Sequence, residues 1–231
     1  MFLSNVSPAA QHDTLADAIR HAQQFGHRPA VTAITPDGRY EQSFASLFQW
    51  AAKGAHLLSS DLMLEPGARL ALASPVSWHT TAIVLGAWWV GVEVTTVTTD
   101  ADVIIVGDET GDLTGTAATF CVGGGIDGAP FSGGTIPAWT HEVRMFPDSP
   151  PPARATNTTV ALSDADVTLT HEDVLAHTDT DNVVGVDVTG GVTREILRLV
   201  AARPVQTGHR TVIIDRVARD AAAGERVDVW R

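Results

Sequence analysis

A single lysine, Lys53, and a single cysteine, Cys121, stand among 231 residues. One cysteine excludes an internal disulfide and any zinc site built on cysteine pairs. One lysine means that chemistry needing an ammonium group must use Lys53 or do without. Positive charge is scarce as well: 15 Lys and Arg face 27 Asp and Glu, for a formal net charge of −12. Such a field repels phosphate backbones and anionic lipid surfaces, so no nucleic-acid or membrane-surface partner is expected. The basic residues stand singly, apart from a loose group between Arg194 and Arg203. The longest apolar run, residues 80–94, carries Glu93 and falls short of the roughly 20 residues a spanning helix needs. Phe2-Leu3-Ser4 after Met1 lacks the charged start and apolar core of a signal peptide. A cytoplasmic protein is expected.

A hydrophobic fraction of 44% is enough for a sizeable core. Thr14 and Asp17 predict a capped helix, with Leu15, Ala18, Ile19, Ala22 and Phe25 on one face and Gly26 as its stop. Residues 29–34 predict a strand, and Pro36-Asp37-Gly38 a hairpin turn into residues 39–43. Phe44, Leu47, Phe48, Ala51, Ala55 and Leu58 mark a second helix. Residues 69–73 predict a buried strand, 78–90 an apolar helix ended by Gly91, and 93–97 and 102–107 further strands. Residues 123–157 are rich in Gly and Pro, as in Gly123-Gly124-Gly125 and Pro150-Pro151-Pro152, and predict an irregular, partly mobile surface segment. Strands are then expected at 158–162, 166–170, 182–188 and 211–215. Thr170 with Asp173 caps one helix, and Val192, Ile196, Leu199 and Val200 mark another. Strands alternating with helices predict an α/β fold with a mainly parallel, doubly wound sheet flanked by helices, in one domain over residues 1–231.

Several local signals have plain structural readings. Gly123-Gly124-Gly125 lacks the spacing of a phosphate-binding loop and is expected to be a flexible loop. His171, Glu172, Asp173 and His177 fit the acidic start of a helix better than a metal cluster, because the two histidines fall on different faces. No metal is therefore expected. Ser74-Pro75-Val76-Ser77 is not a nucleophile elbow. Cys121 is expected to be a buried apolar residue, Trp88-Trp89 core packing or a partner surface, and Lys53 a solvated surface residue.

Four segments in order resemble the N-terminal part of the adenylate-forming superfamily of acyl-CoA synthetases, adenylation domains and luciferases. They are Tyr40-Glu41-Gln42-Ser43-Phe44-Ala45-Ser46-Leu47, Glu65-Pro66-Gly67-Ala68-Arg69-Leu70-Ala71-Leu72, Ala87-Trp88-Trp89-Val90-Gly91-Val92-Glu93-Val94, and Val167-Thr168-Leu169-Thr170-His171-Glu172-Asp173-Val174-Leu175-Ala176. The last is similar to the family's "val-x-leu-thr-his-x-asn-leu-leu-ala" stretch. The resemblance implies the fold of the N-terminal subdomain. It also implies that a phosphate-binding loop rich in Ser, Thr and Gly, ending in Pro-Lys-Gly, should precede that stretch.

The matching positions are Thr158-Thr159-Val160-Ala161-Leu162-Ser163-Asp164-Ala165-Asp166. Between Ala155 and Thr170 there is neither glycine nor lysine. Ala165 takes the lysine position and Asp166 that of the final glycine. At about 4 Å, each like-charge pair between Asp164 or Asp166 and a phosphate costs roughly 1–4 kcal/mol. Thr158, Thr159, Ser163, Asp164, Ala165 and Asp166, with adjacent Thr170 and His171, thus form a degenerate loop from which no cofactor binding and no catalysis are expected. The resemblance further implies that the family's adenine- and ribose-binding motifs and its C-terminal lid lie beyond residue 231. The expectation is a non-catalytic homologue acting as a binding or regulatory protein, with a protein partner or a second copy possible. The alternative is a residual acyl-, CoA- or nucleotide-binding protein, or a ligase subunit completed by a partner chain.

Overall fold

The computed structural model describes residues 12–107, 117–128, 134–177, 182–215 and 221–230. Its strands fall into two sheets. The five-stranded sheet runs β11(Val229–Trp230), β9(Val184–Asp187), β10(Thr211–Ile214), β1(Pro29–Thr35), β2(Gly38–Ser43). The six-stranded sheet runs β6(Ala118–Cys121), β5(Val103–Val106), β3(Arg69–Ala73), β4(Glu93–Thr95), β7(Val160–Ser163), β8(Thr168–Thr170). All pairings are parallel except the two hairpins, β1–β2 and β7–β8. The parallel α/β character matches the expectation. The division into two sheets is added by the structure.

Three helices carry the core. α1(Leu15–Ala22) starts at Thr14, whose hydroxyl accepts from Asp17 N, and buries Leu15, Ala18, Ile19 and Ala22. α2(Phe44–His56) buries Phe44, Leu47, Phe48, Ala51 and Ala55, as the periodicity predicts. α3(Trp78–Val90) is buried from His79 to Val90 and lacks a polar face, as befits a helix enclosed on all sides. It packs on α2 so closely that a Cβ on Gly86 would lie 2.6 Å from the Ala51 carbonyl oxygen. Gly91 ends it in the left-handed conformation, φ +80°.

The remaining helices are α4(Trp139–Glu142), α5(His171–Ala176), α6(Arg194–Leu197) and α7(Arg203–Thr207), the last two joined by a π turn, Arg198–Ala202. One apolar cluster takes side chains from α1, α2, α3, the 194–207 helical run and both sheets, so the sheets share a core. Smaller clusters lie on Ile34, Val212 and Ile214 in one sheet and on Ala71, Ile104, Val106 and Cys121 in the other.

Cys121 is buried, and Trp88 and Trp89 pack in the core, as expected. Two expectations change. Lys53 is not a solvated surface residue: Nζ donates to the Phe146 carbonyl at 2.6 Å and pairs with Asp148 at 2.8 Å. The described part of the Gly/Pro-rich segment carries the short helix α4 and is tethered, since the Trp89 indole donates to Pro151 O at 2.6 Å and the Arg154 guanidinium to Leu64 O at 3.1 Å. Among the described residues no helix is long and apolar enough to cross a membrane.

Candidate functional site

The residues expected to replace the phosphate loop form the hairpin β7–β8 and the start of α5. β7 continues the parallel sheet, with Val94 opposite Leu162 and Thr95 opposite Ser163. The chain then turns back within residues 164–167, and Ser163 faces Thr168 across the antiparallel pair. No open loop remains. Asp164 N donates to Val167 O at 3.0 Å, which closes the turn.

The Asp164 carboxylate fills the turn from within. Its Oδ1 accepts from the backbone N–H groups of Asp166 (3.0 Å) and Val167 (2.9 Å). Its Oδ2 lies 3.1 Å from Arg194 Nε. Two backbone N–H donors and a guanidinium are what an anion site offers, and here the anion belongs to the chain. The Asp166 and Val167 amides, reinforced by Arg194, hold the Asp164 carboxyl below its usual range. The sequence suggests that Asp164 and Asp166 repel a phosphate as a pair of free charges. In the structure Asp164 is engaged, and occupation of the donors comes first.

The neighbouring donors are also taken. Ser163 Oγ donates to Glu93, which also accepts from Arg69 Nε at 3.3 Å. Thr159 Oγ1 accepts from Thr156 N at 2.9 Å, and the Thr156 hydroxyl contacts those of Thr158 and Thr159. Thr170 N and Oγ1 donate to Asp173 Oδ2 at 2.9 and 2.7 Å, while Thr170 Oγ1 accepts from Asp173 N at 3.1 Å, the reciprocal cap expected from the sequence. The N–H groups of His171 and Glu172 go to Thr159 O and Asn157 O, each at 3.0 Å. The first turn of α5 therefore offers no free N–H to a phosphate. Ala165 and Asp166 are exposed at the tip.

His171 departs furthest from a surface role. It is wholly buried, and Nδ1 accepts from Leu15 N at 3.1 Å, so this histidine caps α1 from a distance of 156 residues. Burial pushes its pKa down to about 4, which leaves the ring neutral with its proton on Nε2. His177 is exposed, as the opposite-face argument requires. Among the described residues no group of three or more His, Cys, Asp or Glu could hold a metal ion.

Sequence reasoning missed a second polar spot, at the start of α3. His79 is buried, its ring centroid 3.6 Å from that of Trp78, and burial pushes its pKa down to about 4. His79 Nδ1 and Ser74 Oγ are buried without a hydrogen-bond partner among the described residues. A polar residue inside an otherwise apolar helix pattern was the available signal.

No family model matches the chain. A Mycobacterium tuberculosis protein described as a TIGR03089 family protein is 30% identical over 99 residues, covering 43% of this chain and 41% of that protein. The crystal structure of Brucella canis acyl-CoA synthetase superposes with a TM-score of 0.71 at 13% identity, over 89% of this chain and 44% of that one. A benzoate CoA ligase from Burkholderia xenovorans gives 0.68 at 13% identity, over 94% and 49%. A fatty acyl-adenylate ligase from L. pneumophila gives 0.65 at 14%, over 89% and 40%. The chain thus spans less than half the length of each of these proteins. With two mostly parallel sheets around shared helices and a β7–β8 hairpin leading into α5, it has the fold of the N-terminal portion of acyl-CoA synthetases and related adenylate-forming ligases.

Proposed function

We propose that this chain is a non-catalytic homologue of acyl-CoA synthetases that works as a binding or regulatory protein and does not adenylate a carboxylate. The supporting observation is the Asp164 carboxylate, which sits on the Asp166 and Val167 amides and pairs with Arg194. A triphosphate placed there would have to evict a bonded carboxylate and remain beside it. Each such like-charge pair costs on the order of 1–4 kcal/mol at about 4 Å. No lysine is available in this stretch to offset that cost, and the chain's single lysine, Lys53, is held by Phe146 and Asp148. The described residues act as one unit in this reading, since the two sheets share one core.

The test is ATP–pyrophosphate exchange by the full chain across fatty, aromatic and amino acids. The expected outcome is exchange indistinguishable from the protein-free blank with every acid. Turnover with any acid, abolished by Arg194→Met, would reject the proposal.

A further inference from the structure

The segment carrying Pro150-Pro151-Pro152 is held the way a protein holds a bound peptide. Proline has no N–H, so this stretch cannot join a ladder, and residues 151–156 form no regular element. Its carbonyls are instead taken one by one by helix side chains. Lys53 Nζ on α2 donates to Phe146 O at 2.6 Å, and His56 Nε2 on α2 donates to Ser149 O at 3.0 Å. Trp89 Nε1 on α3 donates to Pro151 O at 2.6 Å. Pro150 closes a small apolar pocket lined by Ile19 of α1, Phe48 and Ala51 of α2, and Leu85 and Trp89 of α3. Lys53 pairs with Asp148, two positions before the first of the three prolines. The Phe146 ring stacks on His56, with planes 6° apart.

A tryptophan indole donating to a prolyl carbonyl, with a neighbouring proline in an apolar slot, is the geometry by which recognition grooves take polyproline segments. We infer that the α1–α2–α3 groove is a polyproline-recognition groove occupied by the chain's own residues 146–152. The partner it fits is a proline-rich segment with an acidic residue two positions before its prolines. That chemistry is read from Asp148 and the three prolines now seated there. The strap is the part of this face suited to exchange, because side-chain bonds, one ring stack, one seated proline and one backbone bond, Arg154 N–H to Trp89 O at 3.1 Å, hold it rather than a backbone ladder. The inference is independent of the β7–β8 hairpin.

The test uses the full chain with its strap disabled, D148A/P150S/P151S, and a fluorescent peptide spanning residues 146–154. The disabled chain should stay folded by circular dichroism and bind the peptide saturably. The unaltered chain should bind it at least tenfold more weakly, because its own strap competes. Adding Trp89→Phe to the disabled chain, or replacing the peptide's aspartate by alanine, should each weaken binding at least threefold. A folded, disabled chain without saturable binding would overturn the inference, and so would binding indifferent to both changes. Loss of the fold in the disabled chain would overturn it too, since a strap that cannot leave cannot yield its groove.

Discussion

Asp164 and Arg194 meet at 3.1 Å between the β7–β8 hairpin and the first residue of α6, while the other oxygen of the same carboxylate caps two amides of its own turn. Asp164→Ala removes the acceptor of the Asp166 and Val167 N–H groups. Amide exchange at these two positions should speed up, while the β10 amides remain unchanged. Asp164→Asn keeps an acceptor and should restore most of the protection, because the turn needs an oxygen there. Residue-resolved hydrogen exchange checks both outcomes. Equal exchange in all three proteins would mean that the carboxylate does not organise the turn.

Gly86→Ala sets two effects of opposite sign against each other. Alanine favours a helix interior by about 1 kcal/mol over glycine. The new methyl would lie 2.6 Å from Ala51 O and 3.1 Å from Ala55 N, both backbone atoms of α2. Overpacking of this kind costs about 1–3 kcal/mol, and backbone cannot step aside as a flexible side chain can. A net destabilisation of about 1–2 kcal/mol is expected in urea unfolding. A more stable variant would show that α2 and α3 can separate freely.

Trp88 is fully buried and its indole donates to Ala161 O at 2.7 Å, tying α3 to β7. Trp88→Phe removes the donor, and an unsatisfied buried carbonyl costs about 1–3 kcal/mol. The lost ring volume adds to this, so a loss of about 2–4 kcal/mol is expected. Chemical denaturation measures it, and a loss below 1 kcal/mol would contradict the role given to this bond.

Acidification should weaken the fold through His79 and His171. Burial lowers both to about 4 in the folded chain, from an ordinary value of 6.5. Between those values the unfolded chain binds the additional protons. Stability is therefore fully present above about pH 6.5 and falls as pH drops toward 4, by up to about 1.4 kcal/mol per pH unit for each ring. The carboxyls of Asp17, Asp164, Asp173 and Glu225 are held below their ordinary values, so their stabilisation is present above the ordinary carboxyl range and is lost as pH falls through the lowered folded values. Urea unfolding at pH 7.5 and 5.0 should thus show a clear loss at pH 5.0, smaller in His79→Phe. A flat profile would contradict the burial of the two rings.

Much of the fold is legible locally. Pro36-Asp37-Gly38 marks the β1–β2 hairpin, and α3 ends where Gly91 places its stop. Thr170 and Asp173 announce the cap of α5. What stays hidden is set by pairings distant in sequence. Nothing in residues 184–187 or 211–214 says that β9 and β10 join β1 rather than β7, which divides the strands into two sheets. Lys53 reads as a surface residue because its partners, Phe146 and Asp148, lie more than 90 positions away. The same holds at the candidate site. The missing glycines and lysine are visible in the sequence. The capture of Asp164 by its own turn and by Arg194 appears only once the chain is folded.

The most direct measurement follows the backbone amides of Asp166 and Val167 and the Nε–H of Arg194 by ¹⁵N NMR while MgATP is added to the intact chain. The expected result is no saturable shift at any of the three, because the Asp164 carboxylate keeps them. A saturable shift of all three together, at one common midpoint, would show that a nucleotide's phosphates displace that carboxylate and would contradict the central claim.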